Sequence, residues 1–241
     1  MHTTVDAMVN TRAWDSIAAQ GHRTDTPQVA PADIAWTSWP GRGPGAEILG
    51  DLAGQAVAEL GCGTGEHVAY AAAHGVRLAL GIDASPRRLE QARARFGHLT
   101  TTEWQLGDAA SVLAQIPVLD VCYSIFGALW YADPKQLLPV IAARLRQGGR
   151  LVFSVNAPRP GEQCGRRVDN LTLDAGTRLP VIHYAFGPAA WTNLLLRNGF
   201  RLVEVRPVEG PQGSPHHTLV ISAQRAPQLP AAVVQSHRLS S

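Results

Sequence analysis

The sequence lacks the features that define several common protein classes. No stretch approaches the ~20 consecutive apolar residues that a membrane-spanning helix needs, and Met1–Asn10 has no apolar core of the kind found in signal peptides. Cysteine is scarce: Cys62, Cys122 and Cys164 are the only three, and their spacing matches no metal site. We therefore expect a cytoplasmic protein with reduced thiols, no bound metal and no membrane contact.

Neither positive nor negative charge predominates in the sequence. Charged residues make up 17% of the 241 residues, and the formal net charge is only +2. Arg159, Arg166 and Arg167 form one small basic group, most simply a solvated loop. Nucleic-acid binding usually requires a larger basic stripe. With 45% hydrophobic residues, the composition favours a globular protein with a sizeable core, and we expect a small molecule as its partner.

The regular part of the chain alternates short apolar strands with helical periodicities from about residue 55 to 155. This βαβαβαβαβ order predicts a parallel sheet covered by helices on both faces. We assign the main domain to residues 51–225. Residues 1–50, with a helix predicted from about residue 10, should cover the active site. Residues 156–186 are rich in proline and glycine and should form an inserted lid or hairpin, and residues 226–241 a flexible tail.

A glycine-rich turn follows the first predicted strand and opens a helix, over Glu59–Gly65. Glycines at 61, 63 and 65 let the backbone approach a ligand closely, and a helix start favours an anionic group. A structural turn without a ligand is the alternative. The third glycine comes one residue earlier than in the dinucleotide-binding G-x-G-x-x-G pattern, and Glu66 would repel a pyrophosphate. The turn therefore suits a smaller, less anionic ligand than NAD.

Two acidic residues follow the next two strands. Asp83 ends the second predicted strand, where a carboxylate can accept hydrogen bonds from both ribose hydroxyls. Its alternative role is to cap the following helix, although Ser85 is the better cap by position. Asp108 follows the third strand and could accept from an adenine amino group or cap the short helix after it.

Five segments in this order resemble the class I SAM-dependent methyltransferases (SAM, S-adenosylmethionine). They are Glu59–Gly65, Gly81–Asp83, Gly107–Ala109, Ser124–Pro134 and Leu145–Leu151, the last with Gln147 where proline is usual. The resemblance implies a Rossmann-like α/β fold, a doubly wound, mostly parallel sheet of seven strands whose last strand runs antiparallel. It also implies SAM as cofactor and S-adenosylhomocysteine (SAH) as product.

The resemblance further implies which residues hold the cofactor. The glycine turn would line the methionine part, and Glu59 would fix the turn or the amino group. Asp83 would bind the ribose, Asp108 the adenine edge, and the Ser124 backbone the ammonium. His67 is a further candidate near the cofactor tail, or simply an exposed helix-start histidine. The implied cofactor-binding set is Glu59, Gly61, Cys62, Gly63, Gly65, Asp83, Ala84, Asp108, Ala109 and Ser124.

The acceptor site is expected where aromatic residues meet the cofactor. Phe126, Trp130 and Tyr131 follow the fourth strand and could stabilise a sulfonium by cation–π attraction, or else belong to the core. In related small-molecule enzymes the N-terminal segment and the insert after the fifth strand supply the substrate wall. Here these segments contain Trp14, Trp36 and Trp39, and then Glu162, His183 and Tyr184.

From these candidates we predict Trp14 and Tyr131 as substrate-binding residues and His183 and Tyr184 as catalytic residues. His183 would act as a base or orient a hydroxyl; a structural histidine is the alternative. Three other functions compete. Nucleic-acid methylation is disfavoured because Ser124–Gly127 replaces the Asn/Asp-Pro-Pro-aromatic motif of amino-methylating DNA enzymes. An NAD-linked oxidoreductase is disfavoured by the glycine spacing. A non-catalytic SAM-binding scaffold is disfavoured by the intact turn and acidic residues.

Overall fold

The first half of the chain alternates strands and helices, as expected. The computed structural model describes residues 4–20, 28–159, 161–214 and 216–227. Helix α1 (Val5–Gln20) precedes the alternating region. The elements that follow are β1 (Ala56–Leu60), α2 (Glu66–Ala73), β2 (Leu78–Asp83), α3 (Pro86–Phe96), β3 (Thr102–Leu106), α4 (Ala109–Leu113), β4 (Leu119–Ile125), α5 (Ala128–Tyr131), α6 (Pro134–Arg144) and β5 (Leu145–Asn156).

The second half adds a hairpin and completes the sheet. Its elements are β6 (Gly165–Thr172), β7 (Arg178–Ala185), α7 (Pro188–Arg197), β8 (Phe200–Val208) and β9 (Thr218–Arg225). Strands β6 and β7 pair antiparallel as a separate two-stranded sheet. The hairpin expected within residues 156–186 is therefore present. The expected tail, from residue 228 onward, lies outside the described residues.

The main sheet has seven strands in the order β3-β2-β1-β4-β5-β9-β8. Strands β1 to β5 run parallel to one another, and β9 runs antiparallel to both β5 and β8. The predicted doubly wound, mostly parallel sheet with an antiparallel last strand is confirmed. Strand order reverses beside β1, which pairs with β2 on one side and β4 on the other. In open α/β sheets a crevice forms at this switch point.

Apolar side chains cover both faces of the sheet. On one face, Leu113, Leu138 and Trp191 from α4, α6 and α7 pack against the strands. On the other face, Val68 and Leu89 from α2 and α3 pack with Trp36, Leu49 and Tyr123. Because helices cover both faces of the sheet, all five residues of β1 are buried. For the same reason every residue of β1 except Glu59 is apolar.

Two element boundaries differ from the sequence-based expectation. Helix α1 begins at Val5 rather than near residue 10, because α1 packs along β7 and is tied to it by the Asn10 side chain. The run of apolar residues after Gly149 predicts a strand that begins at Arg150, whereas β5 begins at Leu145. Its pairing with β4 shifts register between Leu119 and Val121, so the strand accommodates the left-handed Gly148, φ 72°. Within the described part of the chain, no helix combines the length and apolarity that crossing a membrane requires.

Candidate functional site

A cavity of about 320 Å³ lies at the carboxyl ends of β1, β2, β3 and β4 and beneath α1. We refer to it as the central cavity. It is lined by residues of the turns after these strands and by one face of α1. From the turns and the start of α3 come Glu59, Gly61, Cys62, Gly63, Asp83, Ala84, Arg88, Gly107, Asp108, Ala109, Phe126 and Tyr131; α1 contributes Ala7, Asn10, Thr11 and Trp14.

The glycine turn closes β1 against its neighbours. A Cβ on Gly61 would lie 2.7 Å from the Ala128 backbone nitrogen, so only glycine lets the segment after β4 pack this closely. Gly63 lines the central cavity. Gly65 does not: it has φ 87° at the start of α2, and a Cβ there would lie 2.5 Å from the Trp104 ring. Gly65 thus allows the start of α2 to pack against Trp104, whereas it was expected to touch the cofactor.

Asp83 joins the glycine turn to the start of α3. Its Oδ2 accepts a hydrogen bond from the Gly63 backbone nitrogen at 2.8 Å, and its Oδ1 accepts from the Ser85 nitrogen at 2.8 Å. Burial raises the pKa of Asp83, and these backbone hydrogen bonds only partly oppose the rise. Ser85 itself caps α3 by accepting from Arg88 N, as expected. A carboxylate has about four acceptor positions, so Asp83 retains capacity for a ligand in the central cavity.

Asp108 has a structural partner as well. Its Oδ1 accepts from the Ser111 backbone nitrogen at 3.0 Å and caps α4. From the sequence, capping was the alternative to adenine binding. Asp108 also lines the central cavity together with Gly107 and Ala109. The two roles are therefore compatible in one side chain.

Glu59 is a buried carboxylate in the cavity wall. His67 Nδ1 lies 3.3 Å from Glu59 Oε1, while Oε2 has no hydrogen-bond partner among the described residues. Burial raises the pKa of Glu59 against the opposing effect of His67. For His67, burial lowers the pKa, but the hydrogen bond and charge of Glu59 outweigh it and the net pKa is raised. An unpaired carboxylate oxygen at a cavity wall suits a cationic ligand group such as an ammonium.

Ser124, whose backbone was predicted to bind the ammonium, uses its side chain within the protein. Its side chain is fully buried, and its hydroxyl donates to Leu60 O at 2.8 Å and accepts from Leu129 N at 3.2 Å. Ser124 therefore fixes β1 to α5 and is not one of the residues that line the central cavity. The next residues, Ile125 to Ala128, do line it, and Phe126 among them has a positive φ of 45°, an unusual backbone conformation of the kind often found at functional sites.

Trp14 and Tyr131, predicted to bind substrate, meet above the central cavity. Both line it, and their ring centroids lie 5.2 Å apart in an edge-on arrangement. Asn10 holds this arrangement in place: its carboxamide bonds the backbone nitrogen and oxygen of Ile182 and the backbone oxygen of Tyr131, at 2.7–3.0 Å. Asn10 is buried. The amide thus connects α1, β7 and α5 at one point.

The structure does not bring His183 and Tyr184 to the central cavity. His183 is buried beside Trp130, with ring centroids 5.2 Å apart. The Tyr184 hydroxyl donates to Asp6 Oδ2 at 2.8 Å and faces a neighbouring cleft of about 210 Å³. Both side chains hold the hairpin to α1 and α5 in this structure, and their catalytic role stays a prediction. The cavity lining likewise does not include Trp36, Trp39 or Glu162.

Sequence reasoning missed several residues of the cavity wall, among them the polar residues Asn10 and Arg88. Asn10 precedes Trp14 by one helical turn, and residues four apart lie on the same helix face; this spacing could have identified it. Arg88 lies in the first turn of the helix that follows Asp83, which aims it at the same crevice.

Comparison with known proteins agrees with this geometry. Residues 57–149 match the family described as "Methyltransferase domain". An O-methyltransferase, resE, of Aspergillus sclerotiorum is 29% identical over 66% of this chain and 62% of its own length. A trans-aconitate 2-methyltransferase of Deinococcus radiodurans is 31% identical over 58% of this chain and 55% of its own length. The chain thus spans little more than half the length of these two curated relatives.

A solved structure shows the same fold. An S-adenosylmethionine-dependent methyltransferase of Mesorhizobium loti superimposes with a TM-score of 0.55 and 22% identity, covering 74% of this chain and 94% of that one. The chain therefore has the fold of SAM-dependent methyltransferases, and its residues 57–149 match a methyltransferase domain. The matched segment is similar to methyltransferase domains, and other solved structures with this fold contain SAM or SAH. The central cavity suits SAM, since Glu59 offers a free carboxylate oxygen to an ammonium and Asp83 offers acceptor positions to a ribose.

Proposed function

We propose that this protein transfers the methyl group of SAM to a small organic acceptor. One observation carries the proposal: a single cavity is lined on one side by the turns after β1, β2 and β3 and on the other side by Trp14 and Tyr131. The first side has the groups that a nucleoside with an amino-acid tail requires. The second side has an aromatic surface that an organic molecule can contact.

In this proposal the chain's own residues orient the cofactor. Glu59 accepts from the ammonium of the amino-acid tail, which lies along Gly61–Gly63. Asp83 accepts from the ribose hydroxyls while it keeps its hydrogen bonds to Gly63 and Ser85. Ala84, Asp108 and Ala109 form the adenine side of the cavity. When bound, SAM supplies a methyl group activated by its positively charged sulfur.

The acceptor side then needs chiefly to hold a nucleophile in line with that methyl group. Correct placement alone can contribute ~7–11 kcal/mol to lowering a barrier. Burial keeps the pKa of the Tyr131 hydroxyl well above its ordinary value, so Tyr131 remains neutral and can donate a hydrogen bond to an acceptor. Small-molecule acceptors are supported by the small volume of the cavity and by the names of the relatives, an O-methyltransferase and a trans-aconitate methyltransferase. The three free cysteines fit a reducing compartment such as the cytoplasm.

Calorimetry and a product assay test this function. We expect SAH to bind the purified protein with 1:1 stoichiometry. We also expect SAH to form from SAM when pools of small acids, phenols and amines are supplied. Absence of SAH binding would reject the proposal. Tight SAH binding with no turnover on any pool would instead favour a non-catalytic SAM-binding protein.

A further inference from the structure

Arg88 is the one arginine of α3 whose guanidinium has no hydrogen-bond or ion-pair partner in the described part of the chain. Its Nε is buried without a hydrogen bond. The other three arginines of the helix are engaged: they contact Asp15 (Arg87, 3.0 Å), the Trp104 carbonyl oxygen (Arg93, 3.0 Å), and both Glu66 and Gln28 (Arg95). Arg88, the arginine without such a contact, is thus the one that lines the central cavity.

The guanidinium of Arg88 lies between the two halves of the cavity. Its Cζ is 5.0 Å from the centroid of the Trp14 ring. Its Nη1 is 3.4 Å from the point where a Cβ on Gly63 would lie. Its charge also acts on groups of both halves, since it opposes the rise in the pKa of both Asp83 and Tyr131 that burial causes. A ligand group beside Arg88 would therefore also contact Trp14.

The buried Nε of Arg88 is in an unfavourable position unless a ligand supplies a hydrogen-bond acceptor. A buried donor without a partner loses the hydrogen bonds that water would provide, and stacking on an aromatic ring compensates only in part. A positive charge here would also repel the positively charged sulfur of SAM. A carboxylate beside Arg88 would reduce both penalties, and guanidinium groups bind carboxylates with two parallel hydrogen bonds.

We propose that Arg88 binds a carboxylate in the central cavity, and that this carboxylate belongs to an organic-acid acceptor whose apolar part packs on Trp14 and Tyr131. The inference rests on the proposed function, which it deepens by naming the acceptor class. The carboxylate of the cofactor's own amino-acid tail could also bind Arg88. Two experimental arms distinguish these sources.

The first arm measures cofactor binding to wild type, Arg88→Met, Arg88→Lys and the control Arg93→Met. The ligands are SAH and its decarboxylated analogue, in which the tail ends in an aminopropyl group. We expect the SAH affinity of Arg88→Met to stay within about twofold of wild type. A tenfold loss for SAH but not for the analogue would assign the carboxylate to the cofactor and overturn the acceptor assignment.

The second arm measures acid binding to the SAH-saturated proteins. The probes are benzoate and trans-cinnamate, each paired with its neutral amide. We expect wild type and Arg93→Met to prefer the acids over the amides. Arg88→Met should lose this preference, with at least tenfold weaker acid binding, and Arg88→Lys should keep part of it because it keeps the charge.

Equal binding of acids and amides by wild type would overturn the proposal, as would undiminished acid binding by a folded Arg88→Met protein. Thermal unfolding of each variant shows whether it is folded. Failure of wild type to bind SAH in the first arm would reject the proposed function. Where wild type binds SAH, the two arms together decide which carboxylate Arg88 binds.

Discussion

At the scale of single residues, the acidic groups of the central cavity each serve two purposes. Asp83 and Asp108 accept backbone hydrogen bonds that shape their own turns and also face the cavity. Glu59 instead leaves one oxygen without a partner among the described residues. The sequence alone presented capping and ligand binding as alternatives, whereas the structure lets one carboxylate do both because its two oxygens point to different neighbours.

Substituting Asp83→Asn should weaken SAH binding at least tenfold. Hydrogen bonds to a charged acceptor contribute ~1.5–3 kcal/mol, and ~1.4 kcal/mol is a factor of ten in affinity. Isothermal titration calorimetry measures the change, and Glu103→Gln, at an exposed position on β3, is the matched control. Unchanged affinity in Asp83→Asn would remove Asp83 from the ribose site.

Alanine substitutions at two glycines of the Glu59–Gly65 turn should have different effects on stability and on SAH binding. Gly65→Ala places a Cβ 2.5 Å from the Trp104 ring at a φ of 87°. The backbone strain of ~1–2 kcal/mol and overpacking of ~1–3 kcal/mol should lower the free energy of unfolding by a few kcal/mol. In Gly63→Ala the nearest atom, Arg88 Nη1, is 3.4 Å away, so we expect a smaller stability loss but weaker SAH binding. Denaturant unfolding and calorimetry measure the two effects, and equal stability losses would contradict this reading.

At the scale of elements, the alternating strands and helices could be predicted because each burial pattern is local. The order of β1 to β5 and the cap of α3 by Ser85 follow from periodicity and capping residues within one or two turns. The positions of His183 and Ser124 could not be predicted in this way. His183 packs on Trp130 and Ser124 bonds Leu60, and both contacts join residues more than fifty positions apart in the chain.

Burial of His183 in the β6–β7 hairpin should make the stability of the folded protein depend on pH. Burial lowers the pKa of His183 below its ordinary 6.5, and Asp169 opposes the shift only in part. Below about pH 6.5 the unfolded chain therefore binds a proton that the folded chain does not, and stability falls as the pH falls through the folded-state pKa. His183→Phe should lose less stability than wild type between pH 7 and pH 5, with SAH affinity unchanged.

The measurement is the unfolding midpoint of wild type and His183→Phe across this pH range. Titrating groups that do not interact with His183 contribute equally to both proteins, so the difference between the two curves reports His183 together with its partner Asp169. Parallel curves would show that the imidazole is not desolvated in the folded protein. A large loss of turnover in His183→Phe with full SAH affinity would restore the catalytic role expected from the sequence.

At the scale of the whole molecule, the central cavity is the place where separate parts of the chain meet. Helix α1 is tied to the hairpin through Asn10 and Asp6 and to α3 through Asp15. These contacts hold Trp14 above turns that belong to the sheet. A ligand in the cavity would therefore touch α1 and the sheet at once, and its binding should stabilise the folded chain as a unit.

SAH at a concentration one hundred times its dissociation constant should raise the unfolding midpoint of wild type by roughly 5–10 °C. Binding to the folded state alone adds ~2.7 kcal/mol at this concentration, and ~1 kcal/mol corresponds to ~2–4 °C in a chain of this size. Differential scanning calorimetry measures the shift. Asp83→Asn, at the same SAH concentration, should shift less, because its weaker affinity leaves the ligand less in excess. A wild-type midpoint that SAH does not move, despite binding seen by titration, would mean that SAH binds the unfolded chain equally well and not a preformed cavity.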